Sequence, residues 1–201
     1  MNSKATKASR GRPKTLDRDH ILDVATQAYW KEGVGAVSLN ELCKKAKVSK
    51  PGLYREFGNE DGLMKAVILD YEKKMLMPLF QMLAGDEPFR KILDDIMIFV
   101  TSDSDERQIP SGCLFVCMRE SYNQMGEATK EQLDQISGRI RAVYEEWVER
   151  SKAKGEFSAD MSSKFAATYI YSQMSYASSK MARGGDQKTV RAVLKTALSM
   201  L

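Results

Sequence analysis

The chain has 201 residues, of which 43 % are hydrophobic and 29 % charged, with a formal net charge of +4, as is usual for a globular protein. No stretch approaches the roughly 20 apolar residues of a membrane-spanning helix, and no apolar run follows the basic N-terminus as in a signal peptide, so we expect a cytoplasmic protein. Three Cys are too few for a disulfide framework. Residues 1–58 carry twelve Lys and Arg against six Asp and Glu, whereas residues 59–201 carry 19 against 21. A positive field over the N-terminal third would attract phosphate.

Residues 1–17 are rich in Ser, Lys and Arg and nearly lack apolar side chains, which predicts a mobile basic arm. Within the arm, Arg10-Gly11-Arg12-Pro13 resembles the core of an AT-hook. An extended Arg-Gly-Arg can enter a narrow A·T minor groove, where the negative potential is enhanced. A basic tail that only aids solubility is the other interpretation of this segment.

Two short helices after the first predicted helix (about residues 19–32) form the most informative part of the sequence. Ser38 opens a helix over 39–46 with a capping box, since Glu follows three residues later. Ser49 is the N-cap of the next helix, and Pro51 suits its first turn. About three residues separate the two helices, which predicts a helix-turn-helix whose second helix enters the DNA major groove.

Several residues between Ile21 and Leu63 carry a family resemblance. They are Ile21, Leu22, Ala25, Tyr29, Gly33, Ser38, Leu42, Ala46, Val48, Ser49, Leu53, Tyr54, Phe57 and Leu63. In order and spacing this set resembles the DNA-binding domain of the TetR family of bacterial transcriptional regulators. Three positions depart from the family pattern: Lys47 replaces a turn Gly, Cys43 replaces an Ala, and Glu60 replaces a Lys that touches phosphate.

The resemblance implies an all-α fold with two domains after the arm. Residues 18–63 would form an N-terminal three-helix helix-turn-helix domain, and residues 64–201 a larger helical domain for effector binding and dimerisation. Beyond Leu63 only chain length and helical pattern match the family. The resemblance also implies a regulator and not an enzyme, with no cofactor.

We expect the DNA contacts to come from the arm, the turn and the second helix of the motif. The predicted DNA-binding residues are Arg10, Arg12, Ser38, Asn40, Lys47, Ser49, Lys50, Pro51, Gly52, Tyr54 and Arg55. Lys50, Tyr54 and Arg55 would contact bases and phosphates, while residues at the helix N-termini would contact phosphates. The two arginines of the arm would reach the minor groove.

The rest of the chain is also predicted as helix. One helix starts at Asn59 and reaches Pro78, which should kink or end it. Others are predicted over about 89–100, 113–123, 127–152, 161–183 and 186–200, with a polar loop at 103–112. No segment alternates with the period of a strand, so the pattern by itself also favours an all-α protein.

The last two predicted helices carry unusually broad apolar surfaces, and in the family such helices form a four-helix dimer interface. The predicted interface residues are Phe165, Tyr169, Tyr176, Val190, Leu194 and Leu198. A two-fold dimer would place two recognition helices about 34–36 Å apart, which matches a palindromic operator. The other interpretation is that these side chains belong to the chain's own core.

Cys113, Cys117 and Glu120 share one face of a predicted helix. Cys113 lies near the helix N-terminus, where the dipole lowers the pKa of a thiol and favours the reactive thiolate. A Gly-Cys after a loop is similar to the sensor cysteine of some family members that respond to oxidants or electrophiles. Two small buried hydrophobic residues are the alternative.

Twelve Met residues and a cluster of aromatic residues suggest an adaptable apolar pocket in the second domain. Such residues also form ordinary cores, and the pocket follows mainly from the resemblance. The candidate pocket residues are Met97, Cys113, Cys117, Met118, Tyr122, Tyr144, Trp147, Tyr169 and Met174. The only His, His20, has no Cys cluster nearby, so no metal site is predicted.

These observations predict a homodimeric repressor that a small molecule or a cysteine modification releases from a palindromic operator. One alternative is a thiol-dependent enzyme that uses Cys113 with Glu120, although no base lies nearby in the sequence. Another alternative keeps the DNA binding but makes the protein an activator or an architectural protein.

Overall fold

The computed structural model describes residues 16–157 and 160–201, except the side chain of Glu106. The predicted contacts of Arg10 and Arg12 therefore lie outside the described residues. Within them the chain is helical and has no strand, which confirms the all-α prediction. No helix of this part is both long enough and apolar enough to cross a bilayer.

The N-terminal head consists of α1 (Arg18–Glu32), α2 (Leu39–Ala46) and α3 (Lys50–Phe57). Each helix is capped by a side chain that accepts a hydrogen bond from the backbone three residues later: Asp17, Ser38 and Ser49. Such caps satisfy N–H groups that have no partner inside the helix. The predicted bounds of α2 and the capping box at Ser38 are both observed.

The helix after the head is longer than its proline suggested. It comprises α4 (Glu60–Tyr71), a π-helical turn (Glu72–Leu76) and α5 (Met77–Ala84). A proline ring normally presses on the carbonyl of the residue four positions earlier. Here Met77 N–H bonds to the Glu72 carbonyl, five residues back, so the helix widens just before Pro78 and then continues.

The body is built from α6 (Phe89–Thr101), α7 (Ser104–Arg107), α8 (Leu114–Glu120), α9 (Glu127–Ala153), α10 (Ser163–Ala182) and α11 (Gln187–Leu198), with a 3₁₀ turn at Tyr122–Gln124. The long α9 packs against α4, α5, α8 and α10, and α6 packs against α10 and α11. The short α7 lies in the segment predicted as a loop.

The α4–α5 helix runs beside α9 in the same direction. Polar pairs join the two at a constant separation of 67 or 68 residues along the chain, and we call this series the α4–α9 ladder. Its pairs are Asp61 with Ala128 and Thr129, Glu72 with Arg139, and Leu83 with Arg150. The same separation recurs just beyond these helices, between Phe89 at the start of α6 and Glu156 after the end of α9. A constant separation requires two parallel helices that run in the same direction. The pairs therefore resist sliding of the α4–α5 helix along α9.

The head end of this ladder is a helix cap supplied from a distance. The Asp61 carboxylate accepts hydrogen bonds from Ala128 N at 2.9 Å and Thr129 N at 3.0 Å, at the start of α9. A Cβ at Gly126 would collide with the same carboxylate, so a glycine is needed for this close approach. The first turn of α4 is thereby tied to the body.

Candidate DNA interface and effector cavity

The outward face of α3 presents four of the eleven residues predicted to contact DNA. Lys50, Pro51, Tyr54 and Arg55 are exposed, Tyr54 to 37 %. The Lys50 ammonium lies over the Tyr54 ring, 5.5 Å from its centroid, which orients both side chains. Leu53 is fully buried and anchors the opposite face of α3 in the head.

Gly52 is a correction to the predicted interface. It is buried, because the Leu16 side chain lies over it: a Cβ at Gly52 would be 3.2 Å from Leu16 Cδ1. Its N–H donates to the Ser49 hydroxyl at 3.2 Å. Gly52 therefore lets the segment before α1 pack on α3 and has no surface to offer DNA.

The smaller polar residues expected at phosphates are also on the surface. Ser38, Asn40, Lys47 and Ser49 are exposed. The Ser38 hydroxyl already donates to Glu41 at 2.9 Å, and hydrogen bonds from the Ser38 backbone and hydroxyl lower the pKa of the Glu41 carboxyl group. The Ser49 oxygen accepts a hydrogen bond from Gly52 N, which leaves its hydroxyl able to donate.

A cavity of about 420 Å³ lies where the head and the body meet. Trp30 of α1 and Tyr71 of α4 form one wall, and side chains from the π turn, α5, α6, α8, α9 and α10 form the others. Lys74, Pro78 and Phe99 line it and are exposed, so the cavity opens between α5 and α6.

Three of the nine predicted pocket residues line this cavity: Cys113, Tyr144 and Met174. The other six do not. Met118 and Trp147 are core residues, and Met97 is buried away from the cavity; Cys117, Tyr122 and Tyr169 are half-buried elsewhere.

Specific packing explains two of these placements. Trp147 stacks on Phe89, with ring centroids 4.6 Å apart. The Tyr122 hydroxyl donates to Asp134 at 2.6 Å on the surface. Both positions satisfy the helical apolar pattern without reaching the cavity.

The environment of Cys113 corrects the expected thiolate. Burial raises the pKa of the Cys113 thiol, and hydrogen bonds from Tyr71 and from the α8 backbone oppose this only in part. Tyr71 Oη donates to Cys113 Sγ at 3.3 Å. Burial, together with Cys113 and Glu120, also raises the pKa of Cys117 to about 11. Both thiols are therefore protonated at neutral pH.

Glu120 does not act together with Cys113. Its carboxylate accepts hydrogen bonds from Ser179 at 2.6 Å and from Arg183 at 2.8 Å. It thus links α8 to α10, and the arrangement that a thiol-dependent enzyme would need is missing. Across residues 16–157 and 160–201, no three His, Cys, Asp or Glu side chains cluster as a metal site would require.

The predicted dimer residues separate into two groups. Phe165 and Tyr176 are exposed on α10, to 57 % and 49 %. Val190, Leu194 and Leu198 are a correction, because they are buried within the chain, on the side of α11 that packs on α6 and α10. Tyr169 is half-buried, and its hydroxyl donates to the Ala197 carbonyl at 2.7 Å. The outer face of α11 instead exposes Val193, and Met200 is exposed just past the end of this helix. We call the set of Phe165, Tyr176, Val193 and Met200 the α10–α11 face.

Two residues that the sequence did not single out matter to the cavity. Trp30 and Tyr71 contact each other edge to face, with centroids 5.1 Å apart. Trp30 Nε1 donates to the Ser111 carbonyl at 3.2 Å, which links α1 to the loop before Cys113. Their only sequence signal was an aromatic residue on the core face of a predicted helix.

Comparison with known proteins agrees with this geometry. Residues 21–67 match the family described as bacterial regulatory proteins, tetR family, and residues 90–197 match the tetracyclin repressor-like C-terminal domain. The chain belongs to the TetR family. Members of this family are DNA-binding transcriptional regulators and not enzymes, so the thiol-dependent enzyme is set aside.

Individual relatives add detail about TetR proteins. The HTH-type transcriptional repressor ComR of Escherichia coli (strain K12) is 31 % identical over 116 residues, which span 57 % of this chain and about half (55 %) of ComR. The TetR family regulator CifR, solved with a 26-bp double-strand operator DNA, is 26 % identical, with a TM-score of 0.77 over 94 % of this chain and 98 % of that one.

A second solved structure shows how widely the fold is shared. A TetR family regulator from Agrobacterium tumefaciens is 13 % identical, with a TM-score of 0.80 over 91 % of this chain and 96 % of that one. At that identity the similarity concerns the fold alone.

Proposed function

We propose that this TetR-family protein is a homodimeric repressor that works in the cytoplasm and leaves a palindromic operator when a small molecule occupies the cavity. Residues 18–63 would bind DNA, and residues 64–201 would bind the effector and dimerise. One observation carries the proposal: Trp30 of the head, Tyr71 of α4 and Met174 of the body line the same cavity. A molecule in that cavity therefore touches both domains at once.

The α3 face supports the proposed reading of DNA. Lys50, Tyr54 and Arg55 project from one exposed surface, as residues of a recognition helix do. Their ring and cationic groups suit base edges and phosphates. Lys47, Asn40 and the caps of α2 and α3 would hold the neighbouring phosphates.

The position of Leu16 supports a role for the arm. Leu16 packs on Gly52, at the start of α3, so the preceding chain begins beside the recognition helix. We therefore propose that Arg10 and Arg12 enter the minor groove next to the major groove that α3 reads.

The α10–α11 face is the proposed dimer interface. It exposes four large hydrophobic side chains at the C-terminal end of the chain, Phe165, Tyr176, Val193 and Met200, and burial of such side chains in a second copy would be favourable. Val193→Asp should place an unpaired charge in the interface and yield monomers by sedimentation velocity, with loss of operator binding. Met77→Asp, at an equally exposed site on α5, is the control and should stay dimeric. A dimeric Val193→Asp protein would place the interface elsewhere.

The principal test is fluorescence anisotropy on a duplex from upstream of the protein's own gene, beside a scrambled duplex, at two salt concentrations. We expect a sequence preference that survives the higher salt, and a loss of about 1–3 kcal/mol in Tyr54→Ala and Arg55→Ala. Arg90→Ala, which removes a charge from the exposed start of α6, should bind normally. Equal, steeply salt-dependent binding of both duplexes would favour an architectural protein, and increased transcription in vitro would indicate an activator.

A cysteine modification is a second proposed trigger, supported by the Cys113 thiol in the cavity wall beside Tyr71. The thiol is buried, so a reagent must enter the cavity to reach it. Because burial also keeps the thiol protonated, the reaction should be slow at neutral pH. Peroxide or a quinone should release the wild-type protein from DNA and leave Cys113→Ser bound. Equal release of both proteins would exclude Cys113 as the trigger, and a Cys117→Ser protein that stays bound would assign the trigger to Cys117.

A further inference from the structure

We infer that the effector is an uncharged, largely apolar molecule that binds directly against Trp30, so that a side chain of the DNA-binding head forms part of the effector site. The inference rests on the proposed function and specifies its ligand class and its point of action. It depends on three features: the position of Trp30, the rigidity of the loop that holds it, and the pairing of every charge in the cavity wall.

Trp30 brings the head into the cavity. It lies in the last turn of α1, is only 5 % exposed, and lines the cavity. Its ring meets Tyr71 at an interplanar angle of 86°, and its Nε1 donates to the Ser111 carbonyl at 3.2 Å. An effector that occupies this space must pack on the indole or displace it.

The acceptor of the Trp30 hydrogen bond belongs to a segment that is fixed to the body. Gly112, the next residue, has a φ of +81°, and a Cβ there would lie 2.5 Å from the Ser178 carbonyl and 2.6 Å from Ala182 Cβ. Only glycine permits this conformation and this contact with α10. The Trp30–Ser111 hydrogen bond therefore joins the head to α10, and displacing the indole would break it.

The charges of the wall exclude an ionic effector. Among the described residues, Lys74 and Asp95 are the lining side chains that carry a charge. Lys74 Nζ lies 2.8 Å from both Asp23 and Asp70, and Asp95 lies 3.0 Å from Lys91. Neither is left for a ligand, and the other lining groups are apolar or neutral hydroxyl and thiol groups. An ion would lose part of its hydration on entry and would have to compete with these existing pairs.

The position of the second tryptophan makes the inference directly measurable. The chain has two Trp; Trp147 stacks on Phe89 and does not line the cavity, from which the Tyr144 ring separates it. In Trp147→Phe, Trp30 is the only indole, and its emission reports on the proposed contact. Octanol, octanoate and octylammonium serve as probes, because they share one chain, differ in charge and do not absorb with the indole.

We expect octanol to shift the tryptophan emission of Trp147→Phe in a saturable way. Octanol should bind at least roughly tenfold more tightly than either ion. In Trp30→Phe the remaining Trp147 should not respond. The inference is overturned if octanol produces no saturable change at Trp30, if only Trp147 responds, or if an ion binds as well as octanol. Should Trp147→Phe fail to fold, fluorine NMR of the fluorotryptophan-labelled wild type replaces it. The Trp30 resonance is the one missing from the spectrum of Trp30→Phe, and octanol should shift it.

Operator release completes the test and separates it from the proposed function. Octanol should release the wild-type protein from its operator, whereas Trp30→Leu, which opens space and cannot bond Ser111, should need more octanol for the same release. If the protein binds no operator, the proposed function fails while the emission titration still decides the inference. If the operator is bound but Trp30 does not respond to octanol, the inference fails alone.

Discussion

The helices of the head and the helices α6 and α9 of the body are capped by polar contacts of different range, whereas α10 and α11 have local caps at Ser162 and Asp186. In the head, the side chains of Asp17, Ser38 and Ser49 each cap the helix that follows, by accepting a hydrogen bond from the backbone N–H three residues later. In the body, α6 and α9 have no cap of their own. Phe89 N donates to Glu156 at 2.7 Å, and the start of α9 is capped by Asp61.

This difference indicates how a signal can pass between the two parts. Local caps stabilise each helix of the head whatever the body does, so we expect the proposed DNA-reading surface to move as a unit. The α4–α9 ladder depends on the alignment of two rods, so a shift of α4 has to break its pairs. We therefore expect substitutions in the ladder to affect stability and allosteric response together, and substitutions in the local caps to affect mainly stability.

The largest effect is expected in the middle of the ladder. Arg139 holds the buried Glu72 carboxylate through bonds of 2.6 and 2.8 Å. Arg139→Leu leaves that charge unpaired and should lower the free energy of unfolding by about 3 kcal/mol in urea titrations. Adding Glu72→Leu should restore most of the loss, because no charge is then left unpaired. A double variant as unstable as the single one would mean that packing, and not the charge, matters here.

The Asp61 cap should have the next largest effect. Asp61→Ala removes the acceptor of two N–H groups at the start of α9 and should cost about 2 kcal/mol, with Asp61→Asn in between. Operator affinity should fall as well, because the head loses its tie to α9. If stability falls and affinity does not, α4 transmits movement without this contact.

The Asp61 cap should also depend on pH. Burial alone raises the pKa of the Asp61 carboxyl group, but hydrogen bonds from Thr129 and Ala128 outweigh it, and the net pKa is lowered. A lowered pKa in the folded state stabilises the protein above the unfolded value of about 3.9. The stability gap between wild type and Asp61→Ala should therefore persist at neutral pH and shrink as the pH falls below about 4.

The local caps should show smaller effects. Ser38→Ala removes the side-chain acceptor for Glu41 N and should cost about 1 kcal/mol, and Ser49→Ala a similar amount. Neither variant should change the concentration of effector needed for release from the operator, once the operator affinity of that variant is taken into account. A large change in that response would show that the head is not a passive unit and would remove the contrast with the body.

The same contrast explains what the sequence could predict. The bounds of α2 and the caps at Ser38 and Ser49 were predictable because their signals lie within three residues. Gly52 was misplaced because Leu16, which covers it, is distant in sequence. Periodicity found an apolar face on α11 at Val190, but it cannot tell which surface covers such a face.

The cavity required knowledge of packing between helices. Cys113 and Tyr144 were expected at a pocket and line the cavity, whereas Trp147 satisfies the same helical pattern and packs on Phe89. Trp30 and Tyr71 were passed over, because an aromatic residue on a helix core face looks alike whether it fills a core or borders a cavity. Only the meeting of α1, α4 and the loop at Ser111 makes the distinction.

The smallest expected effect separates stability from DNA binding within the head itself. Lys47 ends α2 with a φ of 55°, in the left-handed region, where a side chain is strained and glycine is not. Lys47→Gly should relieve that strain and raise the free energy of unfolding by about 0.5 kcal/mol, after the greater chain entropy of glycine is subtracted. The same change should weaken operator binding, because the proposed phosphate contact is lost.

Salt titrations of operator binding check the second half of this prediction. Loss of one phosphate contact should reduce the slope of log K against log salt by about 0.9. Lys47→Asn is the matched control, since asparagine tolerates the left-handed conformation: it should lose the same affinity with little change in stability. An unchanged slope in both variants would remove Lys47 from the DNA interface. In that case the left-handed backbone conformation of Lys47 costs stability without a gain in binding. The turn of this head is then a less favourable version of the glycine turn usual in the family.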